Sequence, residues 1–398
     1  MDLFEKLNDK ANSYNLAVEV RKMGIYPYFH CLESRQAPEV IMEKKRRIML
    51  GSNNYLGLTT QPEVIEAGIR AMEKYGTGCS GSRFLNGTLD LHLQLEKELA
   101  TFLHKQAAMT FSTGFQSNLG ILSSICGKGD FIICDKENHA SIYDGAKLSY
   151  AEMLRYQHND MDSLRRVLEK TGADSPKLIV TDGVFSMSGD IANLPDIVEL
   201  ASRYGARVMV DDSHGIGTIG DGGRGTASYY NLENKVDIIM GTFSKSFASL
   251  GGFASANAEI IDFMCHMSRP FIFSASMPPA NAAAALASLD YLNANPQIKE
   301  KLSDIAGFFR SELKRLGVKF KPTQTPIIPI YTSDKFTTLK IVHELFEEGV
   351  FVNAVLPPAT PESECLIRTS LMANITKPIL TEAAEKISKI LKRNHVNE

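Results

Sequence analysis

Val236-Asp237-Ile238-Ile239-Met240-Gly241-Thr242-Phe243-Ser244-Lys245-Ser246 sets the reading of this chain. Its first five residues make a short apolar run of the kind carried by a strand buried on both faces. Small and hydroxylated residues then surround a single lysine, and a Gly251-Gly252 pair lies just beyond. An amine held at a strand end, beside hydroxyls able to bind a phosphate, suits a lysine that forms a Schiff base with pyridoxal phosphate. A lone lysine is more often a solvated surface group, so other segments must supply the partners of such a site.

Working outward, short apolar runs at 107–111, 131–134, 153–156, 178–181, 208–211, 238–241 and 252–254 alternate with helical patterns such as 161–170 and 195–204. That rhythm predicts an α/β domain with a largely parallel sheet and helices on both faces. In such sheets ligands collect where strands end and loops begin. Before this region, helices are expected from Pro62 to Gly76 and over 89–104. Beyond Pro278-Pro279 the texture changes to long helices at 280–293 and 297–316, strands near 327–331, 350–355 and 365–369, and a last helix over 380–391. The expected division is an N-terminal segment with a hairpin (1–55), a large catalytic domain (56–280) and a smaller C-terminal α+β domain (281–398).

Bulk properties exclude several classes. A net charge of −3 over 398 residues gives no general attraction to nucleic acid. The basic run Lys44-Lys45-Arg46-Arg47 reads mainly as an exposed hairpin turn, with contact to an acidic ligand such as coenzyme A as the minority alternative. Six scattered cysteines show neither a CxxC pair nor zinc spacing, and no metal site is expected. The first residues lack the apolar core of a signal peptide, and no uninterrupted apolar stretch is long enough to span a bilayer. A reducing cytoplasm fits best.

Candidate site residues fall next to the predicted strand ends. Phe111-Ser112-Thr113-Gly114-Phe115-Gln116-Ser117-Asn118 would open a helix whose first amides face a phosphate, although an ordinary turn explains it equally well. His139 could stack on a heteroaromatic ring or simply be a hydrogen-bonded loop histidine. Asp211, at the end of an apolar strand, needs a cation or hydrogen bond to be buried. A pyridinium N–H would serve, and a structural ion pair is the competing account. His214 follows three residues later, within reach of the ring's phenolic oxygen. Gly215-Ile216-Gly217-Thr218-Ile219-Gly220 satisfies GxGxxG, but Asp221-Gly222-Gly223-Arg224-Gly225 behind it cannot easily continue a helix. A flexible loop is expected there rather than a dinucleotide site.

Taken together these segments resemble the α-oxoamine synthase family of fold-type I pyridoxal-phosphate enzymes. The matching stretches are Ser52-Asn53-Asn54-Tyr55-Leu56-Gly57, Asn138-His139-Ala140-Ser141-Ile142, Asp182-Gly183-Val184-Phe185-Ser186-Met187, Asp211-Asp212-Ser213-His214 and Gly241-Thr242-Phe243-Ser244-Lys245. Gly81-Ser82-Arg83-Phe84-Leu85-Asn86-Gly87-Thr88 and Phe273-Ser274-Ala275-Ser276-Met277-Pro278-Pro279 are similar to the family's sphingolipid-synthesising branch. Ser213 departs from the family, where alanine is usual.

The resemblance implies an aspartate-aminotransferase-like fold with a mostly parallel seven-stranded sheet. It also implies a homodimer with shared active sites, and leaves open a peripheral contact with the inner membrane. Lys245 would hold the cofactor and move protons at the substrate α-carbon; Asp211 would meet the pyridine nitrogen, His139 the ring face and His214 the ring oxygen. Gly114, Phe115, Thr242 and Ser244 would hold the phosphate, with Ser274 reaching the phosphate of the neighbouring subunit. Arg368, helped by Asn53 and Ser186, would bind the amino-acid carboxylate. The implied reaction is decarboxylative condensation of L-serine with a long-chain acyl-CoA such as palmitoyl-CoA, giving 3-oxosphinganine, coenzyme A and carbon dioxide. The nearest rival is a family member using glycine or alanine with a shorter acyl-CoA. A nicotinamide-dependent oxidoreductase and a non-catalytic relative are the rivals from other classes.

Overall fold

Strands buried on both faces build the centre of the molecule. The computed structural model describes residues 2–13, 15–357, 359–360 and 364–396. After two helices, Leu3–Ser13 and Asn15–Lys22, the chain forms a hairpin of β1 (Glu39–Met42) and β2 (Lys45–Met49). It continues through β3 (Ala107–Phe111), β4 (Phe131–Asp135), β5 (Glu152–Tyr156), β6 (Lys177–Asp182), β7 (Arg207–Asp211), β8 (Ile238–Thr242) and β9 (Gly252–Ala256). The last strands are β10 (Ile327–Tyr331), β11 (Val350–Phe351), β12 (Asn353–Val355) and β13 (Leu366–Ser370).

β3 to β9 form one seven-stranded sheet in the order β3-β9-β8-β7-β6-β4-β5. Only β9 runs against its neighbours; the pairs β8–β7, β7–β6, β6–β4 and β4–β5 are parallel. Along β7, Val208 and Val210 join the core on one face and Met209 the core on the other. In β8, Ile239 faces the first core while Ile238 and Met240 face the second. Both faces are therefore dry, and each such side chain contributes roughly 1.5–3 kcal/mol by leaving water. The same alternation puts Asp211, two residues after Met209, on the face covered by the helix Gly114–Ile125.

All seven expected strand runs are present, each extended by at most two residues. The helices expected after Pro62 and after Leu89 appear as Pro62–Tyr75 and Asp90–Phe102. Expected strand 350–355 proves to be two: β11 pairs with β2, whereas β12 pairs with β13. Val352 between them is where the chain crosses from one small sheet to the other. The β11–β2 pairing joins the opening hairpin to the last third of the chain. Ser370 N–H donates to Leu50 O and Ala373 N–H to Tyr55 O, which fasten the segment after the hairpin to the end of β13.

Two local expectations are corrected. The hairpin exists, but the basic run is mostly strand β2, with only Glu43 and Lys44 turning at φ of 49° and 61°. Arg47 is buried, its guanidinium 4.1 Å over the ring of Phe346, and Arg46 pairs with Glu39 and Glu382. The 215–220 loop is buried throughout rather than flexible, and only a three-residue 3-10 turn, Asp221–Gly223, follows its last glycine. It wraps the carboxylate of Asp212, which accepts from Thr226 N–H and from Thr226 Oγ1 at 2.7 Å. A Cβ on Gly215 would lie 1.9 Å from Asp212 Oδ1, and one on Gly225 2.1 Å from Oδ2. Those glycines serve a buried carboxylate, not a dinucleotide. Among the described residues no helix is long and apolar enough to cross a bilayer, and no cluster of metal-ligating side chains is found.

Candidate active site

Because β3, β4, β6, β7 and β8 point the same way, the loops after them gather at one edge of the sheet. Gly114, His139, Ser186, His214 and Lys245 each follow one of those strands within seven residues. Four of the five candidates with titrating or ring chemistry, Lys245, Asp211, His139 and His214, line one cavity of about 220 Å³, together with Gly114, Phe115, Thr242 and Ser244. The fifth, Arg368, on β13, is hydrogen-bonded to Tyr55, which in turn meets His214.

Lys245 sits just past β8, half-buried, on a turn made rigid by hydroxyls. Thr242 Oγ1 donates to Gly251 O at 2.8 Å and contacts Ser244 Oγ at 2.9 Å. Burial strips water from the ammonium and pulls the Lys245 pKa down to about 8, against the attraction of Asp211 and Asp182. The neutral amine needed for attack on an aldehyde is thereby accessible near neutral pH.

At the other end of the cavity the helix Gly114–Ile125 begins, capped by Thr113 Oγ1, which accepts from Gln116 N–H at 3.1 Å. Its first amides have no partner within the helix and carry the positive end of the dipole. Gly114 has no room for a side chain, since a Cβ would lie 2.7 Å from Thr242 Oγ1. Helix start and the Thr242/Ser244 hydroxyls thus converge on one spot, a cradle for a phosphate. Ser274 Oγ accepts from Gln116 Nε2 at 2.8 Å, beside this cradle in its own chain.

Asp211 is buried and accepts from Asn118 Nδ2 at 2.7 Å and from Ser213 N–H at 3.1 Å. Asn118 Nδ2 also donates to Ser141 Oγ at 2.8 Å, and Ser141 Oγ lies 2.7 Å from His139 Nδ1. An Asp oxygen can only accept, so it fixes which way the Asn118 amide faces. Ser141 must then take the amide hydrogen and pass its own to His139 Nδ1, which leaves the imidazole proton on Nε2. Burial lowers the His139 pKa and keeps the ring neutral. The backbone N–H of His139 donates to Asp182 at 3.2 Å, and burial together with the Asp211 charge pushes Asp182 well above the usual carboxylate range. Asn118, Ser141 and Asp182 fall inside stretches quoted from the sequence, but none had been given a role. The signal for Asn118 was its place one helical turn after Gly114, on the same side of the helix.

Arg368 is 4% exposed, yet among the described residues each acceptor it meets is neutral. Nε donates to Ser186 O, Nη1 to Ser370 Oγ at 3.2 Å, and Nη2 to Asn53 Oδ1 at 2.9 Å and Tyr55 OH at 3.1 Å. Ser186 contributes its carbonyl here, not its hydroxyl. A buried guanidinium without a carboxylate is expensive unless a ligand brings one.

The donor set fits pyridoxal phosphate: an amine for its aldehyde, an acid for its ring nitrogen, a flat neighbour for its ring and a cradle for its phosphate. The model of aminotransferases of class I and II matches residues 45–387. Serine palmitoyltransferase of Sphingobacterium spiritivorum is 47% identical over 391 residues, covering 98% of both chains. The 8-amino-7-oxononanoate synthase of Thermoanaerobacter pseudethanolicus is 40% identical, covering 95% of this chain and 96% of its own. A solved serine palmitoyltransferase carrying pyridoxal phosphate superposes with a TM-score of 0.95 at 35% identity, covering 100% of both chains. With that fold and this cavity, the chain belongs to the class I and II aminotransferase family, in the α-oxoamine synthase group that includes the serine palmitoyltransferases.

Proposed function

We propose that this chain condenses L-serine with a long-chain acyl-CoA, palmitoyl-CoA in the reference case, releasing coenzyme A and carbon dioxide and giving 3-oxosphinganine. It would act as a cytoplasmic homodimer, with Ser274 of each chain completing the phosphate site of the other and peripheral contact with the membrane surface. Kinship with serine palmitoyltransferases over nearly the full length supports the substrate pair. The observation that carries the site is Arg368, a buried guanidinium held by neutral acceptors next to a lysine-bearing cavity.

Bound pyridoxal phosphate supplies an electron sink that makes the α-carbon of an amino acid acidic. Around it each residue has a definite task. Lys245 would anchor the cofactor, and its amine would take a proton from the substrate α-carbon and later return one. Asp211 holds a proton at the ring nitrogen, and the Asn118 bond keeps that carboxylate in place. Gly114, Phe115, Thr242 and Ser244 grip the phosphate. Arg368 pairs both carboxylate oxygens of serine in its planar fork, with Asn53 and the Ser186 carbonyl holding the fork itself. His139, neutral and protonated at Nε2, offers a hydrogen bond to the thioester carbonyl as the new carbon–carbon bond forms.

The test is an amino-acid panel followed through the cofactor absorbance, with product analysis after mixing serine, glycine and alanine with acyl-CoAs of several lengths. Serine should perturb the spectrum most and yield a long-chain 3-keto amino alcohol. A preference for alanine or glycine with a short or dicarboxylic acyl-CoA would move the chain to the oxononanoate-synthase side of its family. The nicotinamide alternative loses its site, since the 215–220 glycines are packed against Asp212, Ser246 and the Gly225 backbone, with no space for a dinucleotide.

A further inference from the structure

Tyr55 sits where the substrate side and the cofactor side of the site touch. It is fully buried, on the segment after β2, and 159 residues from His214 in the chain. Its hydroxyl contacts three groups: Arg368 Nη2 at 3.1 Å, His214 Nδ1 at 2.7 Å and Asn53 Oδ1 at 3.3 Å. Arginine has only donors, so toward Arg368 the Tyr55 oxygen accepts. One hydrogen remains to be given. Asn53 Oδ1 already receives Arg368 Nη2 at 2.9 Å, and the shorter contact is to His214. The Tyr55 hydrogen therefore goes to His214 Nδ1, which must be unprotonated, and the imidazole proton resides on Nε2.

We propose that Tyr55 is a positioning residue that links the guanidinium of Arg368 to His214, fixes His214 as its Nε2–H tautomer, and relays the arrival of a carboxylate at Arg368 to the cofactor cavity. This rests on the functional reading above, in which Arg368 receives the amino-acid carboxylate and His214 faces the ring oxygen. The electrostatics agree. Burial, with Lys245 and Arg368 nearby, drives the His214 pKa well below its ordinary value, so the ring is neutral and its tautomer is decided by hydrogen bonding alone. Burial likewise raises Tyr55, with Arg368 opposing, so the phenol keeps the hydrogen it has to donate. When a carboxylate draws Arg368 Nη2 toward itself, Tyr55 loses part of a donor, its oxygen becomes richer in electrons, and its own O–H donates less strongly to His214.

The experiment uses the holoenzyme with ¹⁵N-labelled histidine and long-range proton–nitrogen spectra, with His214 assigned by its absence in a His214→Asn variant. Wild type should show His214 with Nδ1 bare and Nε2 protonated, and adding L-serine without acyl-CoA should shift the Nδ1 signal. In Tyr55→Phe, which removes one oxygen and keeps the ring, the single tautomer should give way to a mixture and the serine-induced shift should vanish. The same variant should lose about tenfold in kcat with a much smaller change in KM for serine, the size of one lost hydrogen bond to a key group. A wild-type His214 protonated at Nδ1, or a Tyr55→Phe spectrum identical to wild type, overturns the proposal. These spectra are recorded without acyl-CoA, so they stand apart from the functional reading. If serine and palmitoyl-CoA were not turned over, that reading would fall while the tautomer still answered for Tyr55.

Discussion

A lysine amine at about 8 instead of 10.5 changes when this protein can capture its cofactor. Only the neutral amine attacks an aldehyde, so the rate at which cofactor-free protein binds pyridoxal phosphate should climb as pH passes about 8 and level off above it. Stopped-flow absorbance would follow this directly, and a rate still rising steeply toward pH 10.5 would mean the amine is not desolvated. Lys245→Ala should leave the fold intact while abolishing both the covalent absorbance band and turnover. Much of this site was legible residue by residue. Lys245, Asp211, His139 and His214 do line one cavity, as their positions after strands suggested. Asn118 and Tyr55 lay in stretches that drew notice, but their roles were not legible, because each acts through a contact 93 or 159 positions away.

At the scale of elements, strand and helix boundaries were readable because they depend on local periodicity and capping. Failures came where a loop's character is set by what it packs against. The 215–220 glycines looked like a mobile connection, yet none has room for a side chain: Gly215 abuts the Asp212 carboxylate, Gly217 the Ser246 side chain and Gly220 the Gly225 backbone. Gly215→Ala should therefore destabilise the protein by about 1–3 kcal/mol through overpacking, since Asp212 is held by Thr226 and has nowhere to go. Gly127→Ala, which would meet no atom within 4 Å, should stay within about 0.5 kcal/mol of wild type. Urea midpoints of the two variants compare them, and equal shifts would sink the packing argument. Arg47 makes the same point. A basic run seen alone reads as solvated, and only the facing Phe346 ring shows that one of its members is buried.

Across the whole molecule, an ion cluster ties the large sheet to the C-terminal third. His158 reaches Asp135 at 3.0 Å and Asp190 at 3.2 Å, and Asp190 also takes Lys321, which precedes β10. Burial opposes a charge on His158, but hydrogen bonds to Asp135 and Asp190 win and raise it to about 10. A histidine pKa raised in the folded state adds stability that is complete below its unfolded value of 6.5 and disappears as pH climbs through about 10. His158→Gln should therefore be less stable than wild type at neutral pH, and the gap should close toward pH 10. Denaturant titrations at several pH values check it, and a gap independent of pH would show that the imidazolium is not what stabilises the junction. The β2–β11 pairing acts at this scale too, because it holds the Asn53–Tyr55 segment beside Arg368.

The sequence by itself determined the alternation of strands and helices, the parallel sheet and the positions of the lysine, acid and histidines at strand ends. Those features follow from periodicity and from chemistry carried by single residues. Tertiary structure alone decided which partners His139 Nδ1 and His214 Nδ1 meet, that Arg368 meets only neutral acceptors among the described residues, and that Gly215 and Gly225 close on a carboxylate. Each of these depends on a donor, an acceptor or a volume supplied by a distant part of the chain, and local sequence cannot specify a partner it does not contain.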